Sequence, residues 1–140
     1  MLTPDQIDRV RASWSLVVPV AETVAARFYQ RLFEVDPSLR ALFGHTDPAS
    51  QQRKLVQTLA VVVAGVDDLD RLLPAVEALG RRHAGYGVSA SHYDTVGDAL
   101  VWTLARGLGD AFDADTRAAW TAAYALLAQA MKEAMISERC

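Results

Sequence analysis

Apolar residues recur at steps of three and four in one segment of this chain after another, the period of a helix with one buried face. Ile7, Val10, Trp14 and Val17 make the first stripe. Thr3-Pro4-Asp5-Gln6 ahead of it reads as a helix start, with Thr3 able to cap, Pro4 suited to the first helical position and Gln6 able to close a capping box. Pro19 marks a break. Val24, Phe28, Leu32 and Phe33 form the second stripe, which Asp36-Pro37-Ser38 ends while opening a short helix to Phe43. After a loop from Gly44, Asp47-Pro48 starts a helix carrying Leu55, Leu59, Val62, Val63 and Val66. Beyond the polar turn Asp67 to Asp70, Leu72, Leu73, Val76 and Leu79 lead to His83, with Pro74 expected in the first turn. Gly85 and Gly87 close that segment. Ser89 or Ser91 can cap the next helix, whose inner face is Tyr93, Val96, Leu100, Leu104 and Leu108 and which stops at Gly109. Asp113 can cap the last helix, with Trp120, Tyr124, Leu127 and Met131 inward. No segment alternates with period two, so the expectation is an all-α domain of six to eight helices. Gly80 and Gly97 interrupt helical runs, where glycine costs about 1 kcal/mol against alanine, and a close neighbour of the backbone is the expected reason.

Composition narrows the function classes. The 140 residues suit one domain, 1–140, and no composition shift suggests a boundary. Hydrophobic residues make up 51% and charged residues 22%, an ordinary globular balance. The net charge of −3 gives no basic footprint for nucleic acid and no polybasic patch for a membrane. The most apolar run, LVQTLAVVVAGV, is shorter than the roughly 20 residues that a span needs. MLTPDQIDRV has no secretory pattern. The single cysteine, Cys140, cannot form a disulfide within one chain; its role is unassigned, and a cytoplasmic location is expected.

The remaining chemistry centres on LGRRHAGYGV, where His83 ends an apolar helical run. A packed or half-exposed histidine is the plain alternative. Zinc needs three or four ligands, and His45 and His92 sit elsewhere with no carboxylate at ligand spacing. Haem needs only one strong protein ligand, because the porphyrin supplies four nitrogens. Leu79 lies four residues before His83, so its carbonyl can accept the Nδ1 proton and leave Nε2 to face a metal.

The whole chain resembles a globin. LGRRHAGYGV, SHYDTVGDAL, LGDAF and TRAAWTAAYALLAQAM resemble the neuroglobin-like branch, whereas RFYQRLFEVDPSLRALF and RKLVQTLAVVVAGVDDL are similar to bacterial single-domain globins and the globin part of flavohaemoglobins. The resemblance implies a globin fold around haem b, with His83 as the proximal iron ligand. It places Phe43 against the haem, Gln51 at the distal position and Leu55 one turn later. Tyr29 falls where the second helix faces bound ligand, and Val88 and Tyr93 fall on haem-contacting positions, with Val96 one turn beyond. Lys54 and Arg82 are candidate partners for the haem propionates, or ordinary surface charges. Phe43, Leu55 and Val88 could equally be plain core, Tyr29 an interface tyrosine and Gln51 part of a solvated face. A one-residue shift in the loop would put Gln52 in place of Gln51.

Two departures shape the functional expectation. Neuroglobins carry a distal histidine that binds iron, but Gln51 is a poor ligand, so a five-coordinate ferrous iron is expected; His45 is the one residue that could swing in. Flavohaemoglobins support the proximal histidine with a tyrosine and a late glutamate. Tyr93 matches the tyrosine, whereas the late position is Met135, flanked by Glu133 and Glu138. The resemblance thus implies reversible binding of oxygen, nitric oxide and carbon monoxide, with nitric oxide dioxygenase activity if a separate reductase supplies electrons. A haem-based redox or gas sensor acting through a partner, and a haem-free helical interaction domain, are the alternatives.

Overall fold

The computed structural model describes residues 2–43, 47–85 and 88–139, with side chains 84, 85 and 135–139 excepted. His45, Gly87 and Cys140 lie outside the described residues. Among the described residues six α-helices follow one another: α1 Pro4–Val17, α2 Ala21–Val35, α3 Pro48–Gly65, α4 Leu69–Gly85, α5 Ala90–Leu108 and α6 Ala114–Arg139. Single-turn or short 3-10 segments at Val18–Val20, Pro37–Phe43 and Gly109–Ala111 join some of them. Among the described residues there is no strand, and no helix is long and apolar enough to cross a membrane.

The helix starts follow local side-chain chemistry. Thr3 Oγ1 accepts the Gln6 amide proton at 3.1 Å while Gln6 Oε1 accepts that of Thr3 at 3.0 Å, a reciprocal cap for α1. Asp47 accepts from Ser50 N–H at 3.0 Å and Asp113 from Thr116 N–H at 2.8 Å, starting α3 and α6. Each such cap satisfies a donor left without an intrahelical partner and contributes about 1 kcal/mol. Ser89, rather than Ser91, starts α5, and its N–H donates to Nδ1 of His92 at 3.0 Å.

Pro74 departs from expectation. It stands inside α4, more than a turn past Leu69, and not in the first turn. The Asp68 carboxylate accepts the Arg71 N–H at 3.3 Å and so starts the helix earlier than the apolar stripe suggests. Proline has no proton for the Asp70 carbonyl, but Asp70 and Pro74 are both exposed, and water can serve that carbonyl.

The main packing pairs are α4 with α6, α2 with α5, α1 with α6 and α2 with α3. Trp120 of α6 is 4% exposed and donates its indole proton to Ser13 Oγ of α1 at 2.7 Å, so the indole is buried without an unmet donor. The α4–α6 crossing explains Gly80. A Cβ there would lie 2.7 Å from the Met131 carbonyl oxygen and 2.8 Å from its Cα, both backbone atoms. At Gly97 a Cβ would meet the Tyr124 ring at 2.7 Å.

Gly80→Ala is therefore expected to destabilise the protein by about 1–2 kcal/mol, overpacking outweighing the gain in helix propensity. Gly107→Ala is the control, since the nearest atom to its added Cβ is a Val24 methyl at 3.5 Å. Urea unfolding should show the first variant below wild type and the second at or above it. Equal midpoints for both would mean that α4 can move off α6 freely.

Candidate functional site

The core is divided in two. The larger cluster gathers Phe28, Leu32, Leu39, Val63, Leu100, Leu104 and Trp120, with Tyr29, Phe33, Phe43, Leu55, Leu59 and Val96 packed against it. The smaller gathers Leu72, Val76, Tyr93, Ala128 and Met131, with Leu79 and Val88 against it. Helix α5 carries members of both, Tyr93 on one and Val96 on the other, one turn apart. The helices that flank the division, α3 and α4, make few direct contacts with each other. Tyr29, Phe43, Leu55, Leu59, Leu79, His83, Val88 and Val96 are only half-buried. Large apolar side chains left half-covered on two clusters fit the lining of a slot, since close packing would otherwise cover them.

On the larger cluster's side, α2 and α3 bring two polar groups together. Gln51 Nε2–H donates to Tyr29 Oη at 3.1 Å. Gln51, not Gln52, makes this contact; Gln52 instead lines a surface depression with Val18, Arg53 and Val56. Tyr29 is fixed by rings on several sides: Phe28 edge-on at 5.0 Å, Phe43 edge-on at 5.6 Å and Phe33 at 6.2 Å between centroids. Burial pushes the Tyr29 hydroxyl above its ordinary pKa, against a smaller opposing effect of the Gln51 bond, so it keeps its proton. Because the oxygen accepts from Gln51, that proton is available to a further acceptor.

On the other side, His83 Nδ1 lies 2.8 Å from the Leu79 carbonyl oxygen. A carbonyl only accepts, so Nδ1 carries the proton and the lone pair is on Nε2. Burial first, and the Arg82 charge to a lesser degree, hold the imidazole below its ordinary pKa despite the Leu79 bond, which keeps it neutral. The helix end is closed by Val88 N–H donating to the His83 carbonyl at 3.1 Å. The Tyr93 ring lies 6.5 Å from the imidazole ring.

Two features of this side were not visible in the sequence. The Tyr124 hydroxyl donates to the Tyr93 carbonyl at 2.6 Å, tying α6 to the start of α5. The Tyr93 hydroxyl is fully buried and finds no hydrogen-bond partner among the described residues. Glu133 is exposed and accepts from Gln129 at 3.1 Å; the side chains of Met135 and Glu138 lie outside the described residues. Lys54 and Arg82 are exposed and make no ion pair with another described residue. Their long stems leave the charged heads in solvent.

A helical fold with two apolar clusters, an imidazole beside Tyr93 of one and a hydroxyl–amide pair at the margin of the other fits a protein that holds a flat apolar cofactor between helices. The chain belongs to the globin family, whose family model, described as Globin, matches residues 26–131. It is 33% identical over 131 residues to a flavohemoprotein of Vibrio cholerae, covering 92% of this chain and 33% of that one. A flavohemoprotein of Bordetella parapertussis is 35% identical over 130 residues, covering 91% and 32%. One of Bacillus subtilis is 30% identical over 132 residues, covering 93% and 33%. The chain thus spans about a third of the length of these curated relatives.

The cofactor of this family is haem b, and the residues present fit it. Apolar and aromatic side chains stand half-buried on both clusters, the neutral imidazole is of the right donor type, and the orphaned buried hydroxyl belongs to Tyr93, whose ring lies 6.5 Å from the imidazole ring.

Proposed function

We propose that this chain binds oxygen and other diatomic gases through haem held by His83, and that it turns over nitric oxide when a separate reductase supplies electrons. The observation that carries the reading is the Gln51–Tyr29 hydrogen bond, made by a residue of the larger cluster's margin, while the His83 ring lies 6.5 Å from Tyr93 of the smaller cluster. Haem, when bound, would supply an iron able to hold a small gas, and His83 Nε2 is the protein atom that would hold that iron.

The protein's own residues do the rest. The Leu79 carbonyl fixes the tautomer and ring orientation of His83. Phe43, Leu55, Val88 and Val96 keep water out of the slot and strengthen every polar contact inside it. Tyr29 offers a proton and Gln51 an amide N–H to a gas molecule that carries partial negative charge. Lys54 and Arg82 are the cations that can reach propionates at the slot's rim.

Nitric oxide chemistry suits such a slot, because both reactants are diatomic and no large cleft is required. One nitric oxide, one dioxygen and one electron give one nitrate. The relatives are flavohemoproteins, a name that joins a flavin to a haem, and this supports a flavin-type electron donor from outside the matched third. The source of that electron is an external protein in this reading, and the site of action is the cytoplasm.

The test is a single turnover. Reduced, oxygen-saturated protein is mixed with one equivalent of nitric oxide, and nitrate is measured against haem. The expected result is one nitrate per haem within the mixing time. Persistent nitric oxide, or nitrite as the main product, would leave gas binding intact and remove the dioxygenase role.

A further inference from the structure

Away from the slot, a groove of about 1080 Å³ runs between α2, α5 and α6. Among the described residues four cations line it, Arg31, Arg106, Arg117 and Lys132, against two carboxylates, Asp94 and Asp98. The chain as a whole carries −3, so the groove's sign is the reverse of the molecule's. Lys132 is paired with Asp94 at 3.7 Å, and Arg31 reaches Glu34 only at 3.9 Å. Arg106 and Arg117 are exposed and have no carboxylate partner among the described residues.

These guanidiniums are held in place by rings. Arg31 and Arg106 both stack on Trp102, at 4.4 Å and 4.5 Å from its centroid, and Arg117 stands 5.7 Å from that of Phe112. Stacking occupies the faces of a guanidinium and leaves its in-plane N–H donors pointing outward. A pre-positioned fork loses less freedom when a carboxylate arrives. The Trp102 face is already covered, so the groove offers carboxylate recognition in preference to stacking with an aromatic ligand.

One wall of the groove leads toward His83. Tyr124 lies in its wall, its ring packed closely against Gly97. The Tyr124 hydroxyl bonds the Tyr93 carbonyl at 2.6 Å, and the Tyr93 ring is 6.5 Å from the His83 ring. A short run of contacts therefore leads from the groove to the imidazole.

We infer that this groove is the docking surface for an acidic electron-donor protein, its carboxylates meeting Arg106 and Arg117. The inference rests on the proposed haem function. In the step it serves, one electron leaves the donor's reduced flavin and would convert ferric iron to ferrous; the flavin is oxidised by one electron, and any proton it loses with that electron passes from its N–H to solvent.

The probe is a reduced, strongly acidic flavodoxin, mixed with the ferric haem protein under carbon monoxide so that each reduction is read as a carbonyl spectrum. Wild type is compared with the double variant Arg106→Glu, Arg117→Glu. The variant's second-order rate is expected to fall tenfold or more at low salt. The wild-type rate should fall as salt rises from about 10 mM to 1 M, which shortens the screening length from roughly 30 Å to 3 Å. Titration calorimetry of flavodoxin into the ferric protein should show weaker binding by the variant. Reduction by dithionite, haem content and thermal midpoint should match wild type. Equal flavodoxin rates in the two proteins, or a wild-type rate indifferent to salt, would overturn the docking surface while leaving the haem function standing. A protein with no haem spectrum at all would sink both.

Discussion

Tyr29→Phe is expected to raise the oxygen dissociation rate by about ten- to a hundredfold. The substitution removes one hydroxyl and keeps the ring, so the edge-on contacts with Phe28 at 5.0 Å and Phe43 at 5.6 Å persist. What is lost is a proton offered to a gas that carries partial charge, a bond of roughly 1.5–3 kcal/mol in a sheltered site. Each 1.4 kcal/mol is about tenfold in rate, which sets the range. Gln51 also loses the oxygen that its amide now holds at 3.1 Å, so the second donor becomes less well placed. The two residues should consequently couple: Tyr29→Phe and Gln51→Leu together should raise the rate by less than the product of their separate effects. Stopped-flow displacement of oxygen by carbon monoxide reads all the rates. An unchanged rate in Tyr29→Phe would take Tyr29 out of the gas-facing role.

The fold was largely legible in the sequence because its signals are local. Thr3, Asp47 and Asp113 cap helices through residues three positions on, and such contacts can be read from spacing alone. Gly80 and Gly97 were legible in kind, as places of close approach, but their partners Met131 and Tyr124 are far away in the chain. The sequence points to a first-turn Pro74 because the apolar stripe reads from Leu72, whereas the helix begins three residues earlier, at Leu69. Stripe and helix need not start together when a side chain such as Asp68 supplies the cap.

The candidate site was legible to a different depth on each side. The His83–Leu79 bond joins residues four apart on one helix and follows from helical geometry. Tyr29 and Gln51 belong to different helices, and nothing in their periodicity brings them together; the resemblance to globins did, and the bond between them favours Gln51 over Gln52 as Tyr29's neighbour. The Tyr124–Tyr93 tie and the stacking of Arg31 and Arg106 on Trp102 had no signal in the sequence, because each depends on how whole helices cross.

The division of the core has a consequence for stability. Apolar side chains half-covered on both clusters stay so until a flat apolar group covers them, so binding of haem should be coupled to folding by mass action. The anchor of that group is the decisive residue. Loss of a residue that merely orients a metal ligand commonly costs about 10–100-fold in metal affinity. Loss of the imidazole itself should cost at least as much, and it removes a side chain that is only half-buried, so the helices should persist.

Titration of His83→Ala with haemin, followed by absorption and circular dichroism, addresses the central claim most directly. The expected result is a helical protein that binds haemin at least a hundredfold more weakly than wild type, with altered spectra that added imidazole restores. A variant that takes up haemin with wild-type affinity and wild-type ferric and ferrous spectra would show that another group holds the iron.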